Sequence, residues 1–259
     1  MSKIFLKSPE QISKMAEGGE ILGRIMSQVF EKVEPGLSTL EIDSWIDKGI
    51  TNAGGETAFK KVPNYHWASC SGINDEVVHS IPKEDKIIKE GDLLKIDIGM
   101  WWKGFNTDMS WTVIVGEKKE KKNEEFLEVG KRALEKAIKA AHPGNRIGHI
   151  SKTIQDIIEE AGFHPVKVLT GHGIGRELHE EPMVPGILTG KIEKTPKIVP
   201  GMTLALEVIY NFGDGDIVLA EDGWTILTKD GKISGLFEKT IAVTENGPLV
   251  LTPGGVFVC

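Results

Sequence analysis

Long apolar runs are missing from this chain. No stretch approaches the roughly 20 consecutive apolar residues needed to cross a bilayer, and the N-terminus offers only Ile4, Phe5 and Leu6 where a signal peptide needs about 7–15. A cytoplasmic protein with no membrane role is therefore expected. Cysteine is scarce as well: Cys70 and Cys259 are too few for a disulfide framework or a cysteine-rich zinc site, so both should be reduced thiols. Any metal would have to be held by His, Asp and Glu. Positive charge is in deficit, with 31 basic against 38 acidic residues and a net charge of −7, which opposes phosphate-driven affinity and argues against a direct nucleic-acid role. What is present is core material. At 259 residues and 40% hydrophobic, the chain is one large or two small folded domains rather than a disordered tail.

Ser8-Pro9-Glu10-Gln11 reads as a capping box, and Ile12, Met15, Leu22, Ile25, Met26, Val29, Phe30 and Val33 then recur at helical spacing until Pro35-Gly36. A second helix is expected from Ser38, with Glu41 three residues on and Ile42, Trp45, Ile46 and Ile50 on one face, up to Gly54-Gly55. The segment Leu93 to Ile98 is strand-like, and residues 117–122 (EKKEKK) read as a solvated surface link. The plan then starts again. Pro143-Gly144 and Gly162 repeat Pro35-Gly36 and Gly54, each 108 residues later, and Gly91 to Asp97 finds a counterpart 110 residues on in Gly201 to Glu207. Asp108-Met109-Ser110 matches Glu238-Lys239-Thr240 at an offset of 130. Two related α/β halves facing one another are expected, over about residues 8–117 and 123–247 of a single domain spanning 1–259.

The repeat gathers four acids. If Trp101-Trp102-Lys103-Gly104 is a hairpin turn centred there, paired residue numbers sum to 205 and Asp97 lies opposite Asp108, with Cβ atoms about 4.5–5.5 Å apart. Glu207 and Glu238 would sit on equivalent strands of the second half. Carboxylates so close repel unless a cation or a shared proton neutralises them, so the set reads as a metal site or an acid dyad, the alternative being four acids turned to solvent. Among the seven histidines, His142, His149 and His164 read as helix-end, helix-surface and loop residues. His172 differs, because Gly171-His172-Gly173-Ile174-Gly175 lets the backbone pass close to another group and leaves the imidazole unobstructed. His179-Glu180-Glu181-Pro182 follows, and His79 lies in Asn74 to Pro82 (NDEVVHSIP). Oxygen ligands with one imidazole suit Mn, Fe, Co or Zn better than Ca or Mg.

With NDEVVHSIP at 74–82, the Asp97 to Asp108 spacing, GHGIG at 171–175, HEEP at 179–182 and EDGWT at 221–225, the chain resembles the type I methionine aminopeptidases from about Ser8 to Thr252. The first helix starts at Ser8 and Glu207 and Glu238 are 31 residues apart, so the type I branch is expected rather than the prolidase or type II branches. The resemblance implies a pita-bread fold: an α/β (α+β) architecture of two pseudo-twofold-related halves with a central antiparallel sheet flanked by helices. It implies two divalent ions (Co, Mn, Fe or Zn), with His172 and Glu207 completing one, Asp97 chelating the other, and Asp108 and Glu238 bridging. It further implies that Glu207 moves the proton and that His179 and His79 contact the scissile peptide. Tyr65, Cys70 and Trp224 would line a pocket for the methionine side chain. The implied substrates are nascent polypeptide N-termini near the ribosome with a small second residue, and the implied state is a monomer. Lys239, Ser80 and Leu178 stand where that family usually has His, Gly and an aromatic residue. A charge beside Glu238 and a wider methionine pocket are therefore expected. Trp101 and Trp102 are expected on a peptide-contact or partner surface.

Overall fold

The computed structural model describes residues 4–117 and 120–254. Part of the charged link, at 118–119, and the thiol of Cys259 lie outside the described residues.

The capping boxes form as the sequence predicts. Ser8 Oγ accepts from the Gln11 N–H while the Gln11 side chain accepts from the Ser8 N–H, opening α1 (Pro9–Phe30). Ser38 and Glu41 do the same for α2 (Thr39–Asn52). Three strands follow, β1 (Glu56–Thr57), β2 (Ser69–Ile73) and β3 (Glu76–Val78), and then a long hairpin of β4 (Leu93–Trp102) and β5 (Phe105–Ile114). The second helix pair is α3 (Lys121–Ala140) and α4 (Ile147–Glu160). His149 belongs to the cap of α4, where its Nδ1 accepts from the Arg146 N–H at 3.0 Å. After it come β6 (His164–Pro165), β7 (Thr170–Gly173), β8 (Glu180–Pro185), β9 (Thr203–Asn211), β10 (Ile217–Leu219), β11 (Ile226–Thr228), β12 (Ser234–Thr244) and β13 (Gly247–Val250).

Ten strands make one sheet along the path β1-β4-β5-β12-β9-β7-β8, with β2 on β4, β6 on β9 and β13 on β12, every pair antiparallel. Alternation splits each central strand into two faces. Leu94, Ile96, Ile98 and Met100 of β4 and Met109 of β5 pack under α1 and α2. Leu204, Leu206, Val208 and Tyr210 of β9 and Phe237, Ile241 and Val243 of β12 pack under α3 and α4. The residues between them, among them Asp97, Asp108, Glu207 and Glu238, therefore share the face away from the helices. A small sheet in the order β10-β11-β3 stands beside this face.

The β4–β5 turn corrects one expectation. Paired numbers sum to 207, not 205: Asp97 lies opposite Ser110, and Asp108 opposite Gly99. The loop is Lys103-Gly104 with φ of 47° and 93°, a two-residue turn whose positive φ angles match the twist of the flanking strands. Trp101 and Trp102 are occupied within the fold. Lys61 Nζ sits 4.0 Å over the Trp101 ring, and Trp102 Nε1 donates to Glu17 of α1 at 3.3 Å. Lys239 shares the parity of Phe237 and Ile241, so its ammonium lies under the helices, 5.2 Å over the Trp111 ring and bonded to the Gly254 carbonyl, rather than beside the acids.

Candidate active site

The corrected register draws the acids into a row. Asp97 on β4 faces Ser110 on β5, Ser110 faces Glu238 on β12, and Glu238 faces Glu207 on β9. Direct opposition thus holds for Glu207 and Glu238, while Asp97 and Asp108 are diagonal neighbours, still on one face. His172 on β7 pairs with Ala205, two residues from Glu207, which brings its Nε2 to 3.4 Å from Glu207 Oε1. The backbone approach is close: a Cβ on Gly171 would meet the Ala205 carbonyl at 2.5 Å, and one on Gly173 the Glu181 carbonyl at 2.3 Å. The two glycines let β7 lie against β9 and β8 with His172 projecting between them.

Donor atoms of Asp108, His172 and Glu238 all lie within 4.8 Å of one another, and the three residues are 4%, 4% and 2% exposed. Asp97 Oδ1, Asp108 Oδ1 and Glu238 Oε1 are buried with no hydrogen-bond partner. Burial raises all four carboxyl groups above the usual carboxylate range. For Asp108, Glu207 and Glu238 the neighbouring carboxylates raise it further, and Asp97 is pushed up to about 7 by burial. His172 moves the other way, to about 4, because burial and the nearby His179 disfavour its cation. Its Nδ1–H donates to the Gly173 carbonyl at 2.8 Å, so the Nε2 lone pair is turned toward Glu207. Carboxylate oxygens of Asp97, Asp108 and Glu238 without a partner thus share this face with the His172 imidazole and the Glu207 carboxylate, and no lysine or arginine among the described residues is ion-paired with any of the four acids. Unpartnered buried oxygens and a neutral, oriented imidazole fit a divalent metal, which would engage carboxylate and imidazole lone pairs together.

All ten residues singled out in the sequence line one cavity of about 340 Å³. Asp97, Asp108, His172, Glu207 and Glu238 form its floor. His79 and His179 stand at its mouth, the His179 ring 4.4 Å from that of His172, and burial lowers the basicity of both. His79 follows β3 at φ 55°, a left-handed conformation uncommon for a residue with a side chain. The apolar side contains Tyr65, Cys70 and Trp224. The Tyr65 hydroxyl donates to the Ser69 carbonyl at 2.8 Å, lies 3.2 Å from Cys70 Sγ, and the ring meets Trp224 edge-on at 5.1 Å. Asp43 of α2 fixes this corner by accepting from the Ala68 and Ser69 N–H groups at 2.9 and 2.8 Å. Trp67, which carries no recognisable sequence pattern, packs against the outer edge of Tyr65 at 5.3 Å. Phe59, Val62, Leu169, Leu178, Met183 and Ile209 are among the other lining residues. Little in their local sequence marks them, because side chains from separate strands and connections become a wall only once the sheet brings those segments together.

The sequence pattern of metallopeptidase family M24 matches residues 13–245. The chain belongs to that family. This M24 peptidase is 39% identical over 255 residues to the methionine aminopeptidase of Aquifex aeolicus, covering 96% of the chain and 98% of that protein. The crystal structure of methionine aminopeptidase from Thermotoga maritima superposes with a TM-score of 0.92 at 37% identity, over 96% of this chain and 99% of that one. The prolidase of Pyrococcus furiosus has a TM-score of 0.78 at 23% identity, and the chain spans 66% of its length, a likeness of fold alone. The fold is the pita-bread fold, the enzyme is a peptidase hydrolase, and the acid and histidine floor is where an M24 peptidase would hold divalent metal.

Proposed function

We propose that this M24 peptidase is a methionine aminopeptidase that releases the initiator Met from nascent chains whose second residue is small, using two divalent ions (Co, Mn, Fe or Zn). The observation that carries the reading is the division of one cavity into a cluster of carboxylates with the His172 imidazole and an apolar wall of Phe59, Tyr65, Cys70, Leu178 and Trp224. A thioether suits that wall, because soft sulfur packs well against aromatic edges. The full-length similarity to proteins named methionine aminopeptidase supports the same substrate.

Asp97, Asp108, His172, Glu207 and Glu238 would hold the ions, which when bound acidify a water and polarise the scissile carbonyl. Glu207 takes the proton from the attacking water and delivers it to the leaving amine, a role suited to a carboxyl group whose proton affinity burial and Asp97 raise above the ordinary carboxylate range. His179 donates to the scissile carbonyl oxygen as negative charge develops there, and His79 holds the scissile nitrogen. Both imidazoles are depressed by burial, so they are neutral near pH 7 and offer one donor each. Tyr65, Cys70 and Trp224 orient the Met side chain and keep water from it. The enzyme acts in the cytoplasm, as a monomer, on polypeptides emerging near the ribosome. The described residues contain no helix long and apolar enough to cross a membrane, in keeping with that place of action.

Hydrolysis of Met-Ala-Ser with and without added Mn, Fe or Co, by wild-type and Glu207→Ala protein, tests the proposal. Metal-dependent release of Met that disappears in Glu207→Ala is the expected result. No release with any metal, or faster cleavage of an Xaa-Pro dipeptide, would overturn the substrate assignment.

A further inference from the structure

Residues 174–179 join β7 to β8 and end at His179, and they are held from outside on two sides. On one side is Asn106 of β5, which is buried. Its N–H donates to the Gly175 carbonyl at 2.6 Å, and its Nδ2 to the carbonyls of Gly175 and Arg176 at 3.1 and 3.0 Å. On the other is Lys7, in the segment ahead of α1, whose ammonium is ion-paired with Glu180, the residue directly after His179. Lys7 and Glu180 are 7% and 8% exposed. The loop closes around the pair: Glu180 Oε1 accepts from the Glu177 N–H at 3.2 Å, and a Cβ on Gly175 would stand 2.3 Å from Lys7 Cε. Lys7 is itself anchored, its N–H on the Gly201 carbonyl at 2.7 Å and its Nζ also on the Phe5 carbonyl at 3.0 Å.

A buried ion pair is a poor source of net stability, since desolvating two charges offsets most of their attraction. Its value here is geometric. The Glu180 carboxylate is held at both oxygens, by the Lys7 ammonium and by the Glu177 N–H, which restrains the backbone at 179–180, and His179 lines the cavity beside His172. We propose that Lys7 is a positioning residue for the peptidase reaction, seating His179 through Glu180 and so tying the segment ahead of α1 to the active site. The inference rests on the methionine aminopeptidase reading only for the role of His179 on the substrate carbonyl.

The test uses full-length, metal-loaded protein and Met-Ala-Ser. Lys7→Met should lower kcat about tenfold with KM and metal binding unchanged, because His179 acts as charge develops rather than in ground-state binding. Lys7→Met alone leaves Glu180 buried and unpaired. Lys7→Met/Glu180→Gln removes the tether without that charge, and is expected to regain thermal stability but not kcat. In a His179→Ala background, Lys7→Met should cause no further loss. Recovery of kcat together with stability, an equal tenfold loss in both backgrounds, or no loss in Lys7→Met would each overturn the proposal. The His179 imidazole resonances give a reading that needs no substrate. They should shift or broaden in Lys7→Met, and unchanged resonances would also overturn it. Should wild-type protein release no Met while those resonances move, the substrate reading fails and the positioning role stands.

Discussion

A carboxylate buried without donor or cation takes up a proton or acquires a metal, and the Asp108 and Glu238 side chains each leave one buried oxygen with no partner. Each therefore weakens the ion-free protein while completing the site. Asp108→Asn and Glu238→Gln should raise the melting temperature of the ion-free protein slightly. Both should abolish high-affinity metal binding by calorimetry and lower turnover by more than about 100-fold. A variant that kept its metal and its activity would remove that residue from the ligand set. His79 makes the contrasting case at the same scale. It is not among the groups proposed to hold the ions, so His79→Ala should bind metal normally and lose roughly 100-fold in kcat, read by metal titration alongside steady-state kinetics. Ala meets the same left-handed backbone as His, so the substitution should leave folding nearly unchanged.

Elements were legible in the sequence wherever a local rule governs them. The caps at Ser8 and Ser38 set the starts of α1 and α2, and alternation in β4 and β9 separated the acids from the helix-covered core. The hairpin register was not, since Lys103 is a weak signal for a turn with positive φ and a centre one residue earlier is equally compatible with the pattern. The displacement preserved parity. Asp97 and Asp108 stay on one face in either register, which is why the site could be read in spite of it. The close approach of residues 251–254 to α1 was also invisible, because it depends on helix glycines that propensity treats as defects. Gly23 is such a position: a Cβ there would stand 1.8 Å from the Pro253 carbonyl. Gly→Ala in a helix interior usually gains about 1 kcal/mol. Here the clash should reverse the sign, and Gly23→Ala is expected to lose about 1–3 kcal/mol in urea unfolding. A gain would show that the terminal segment does not rest on α1 in solution.

At the scale of the molecule, a helix pair followed by a long antiparallel strand occurs twice, and the strands from the two occurrences meet where β5 pairs with β12. The spacing of Pro-Gly, and of a Gly followed six residues later by a carboxylate, pointed to that repetition. Lining residues such as Val168, Leu169 and Met183 carry no such signal, because their places depend on contacts between distant segments. Since the acid row straddles this seam, metal and fold should be thermodynamically linked through pH. In the absence of metal, Asp97 titrates near 7 in the fold against 3.8 for an ordinary Asp, so folding favours its protonated form. That contribution is full below about pH 4 and is lost as pH rises through 7. Asp108, Glu207 and Glu238, all raised, act in the same direction. Metal replaces those protons and removes the repulsion. His172, held near 4, is neutral across this range and does not compete. The rise in melting temperature on adding Mn should therefore be small at pH 5 and grow steadily to pH 7.5, with protons released on binding in calorimetry. A metal-induced rise that shrank over the same interval would show that the ion binds away from the four carboxylates.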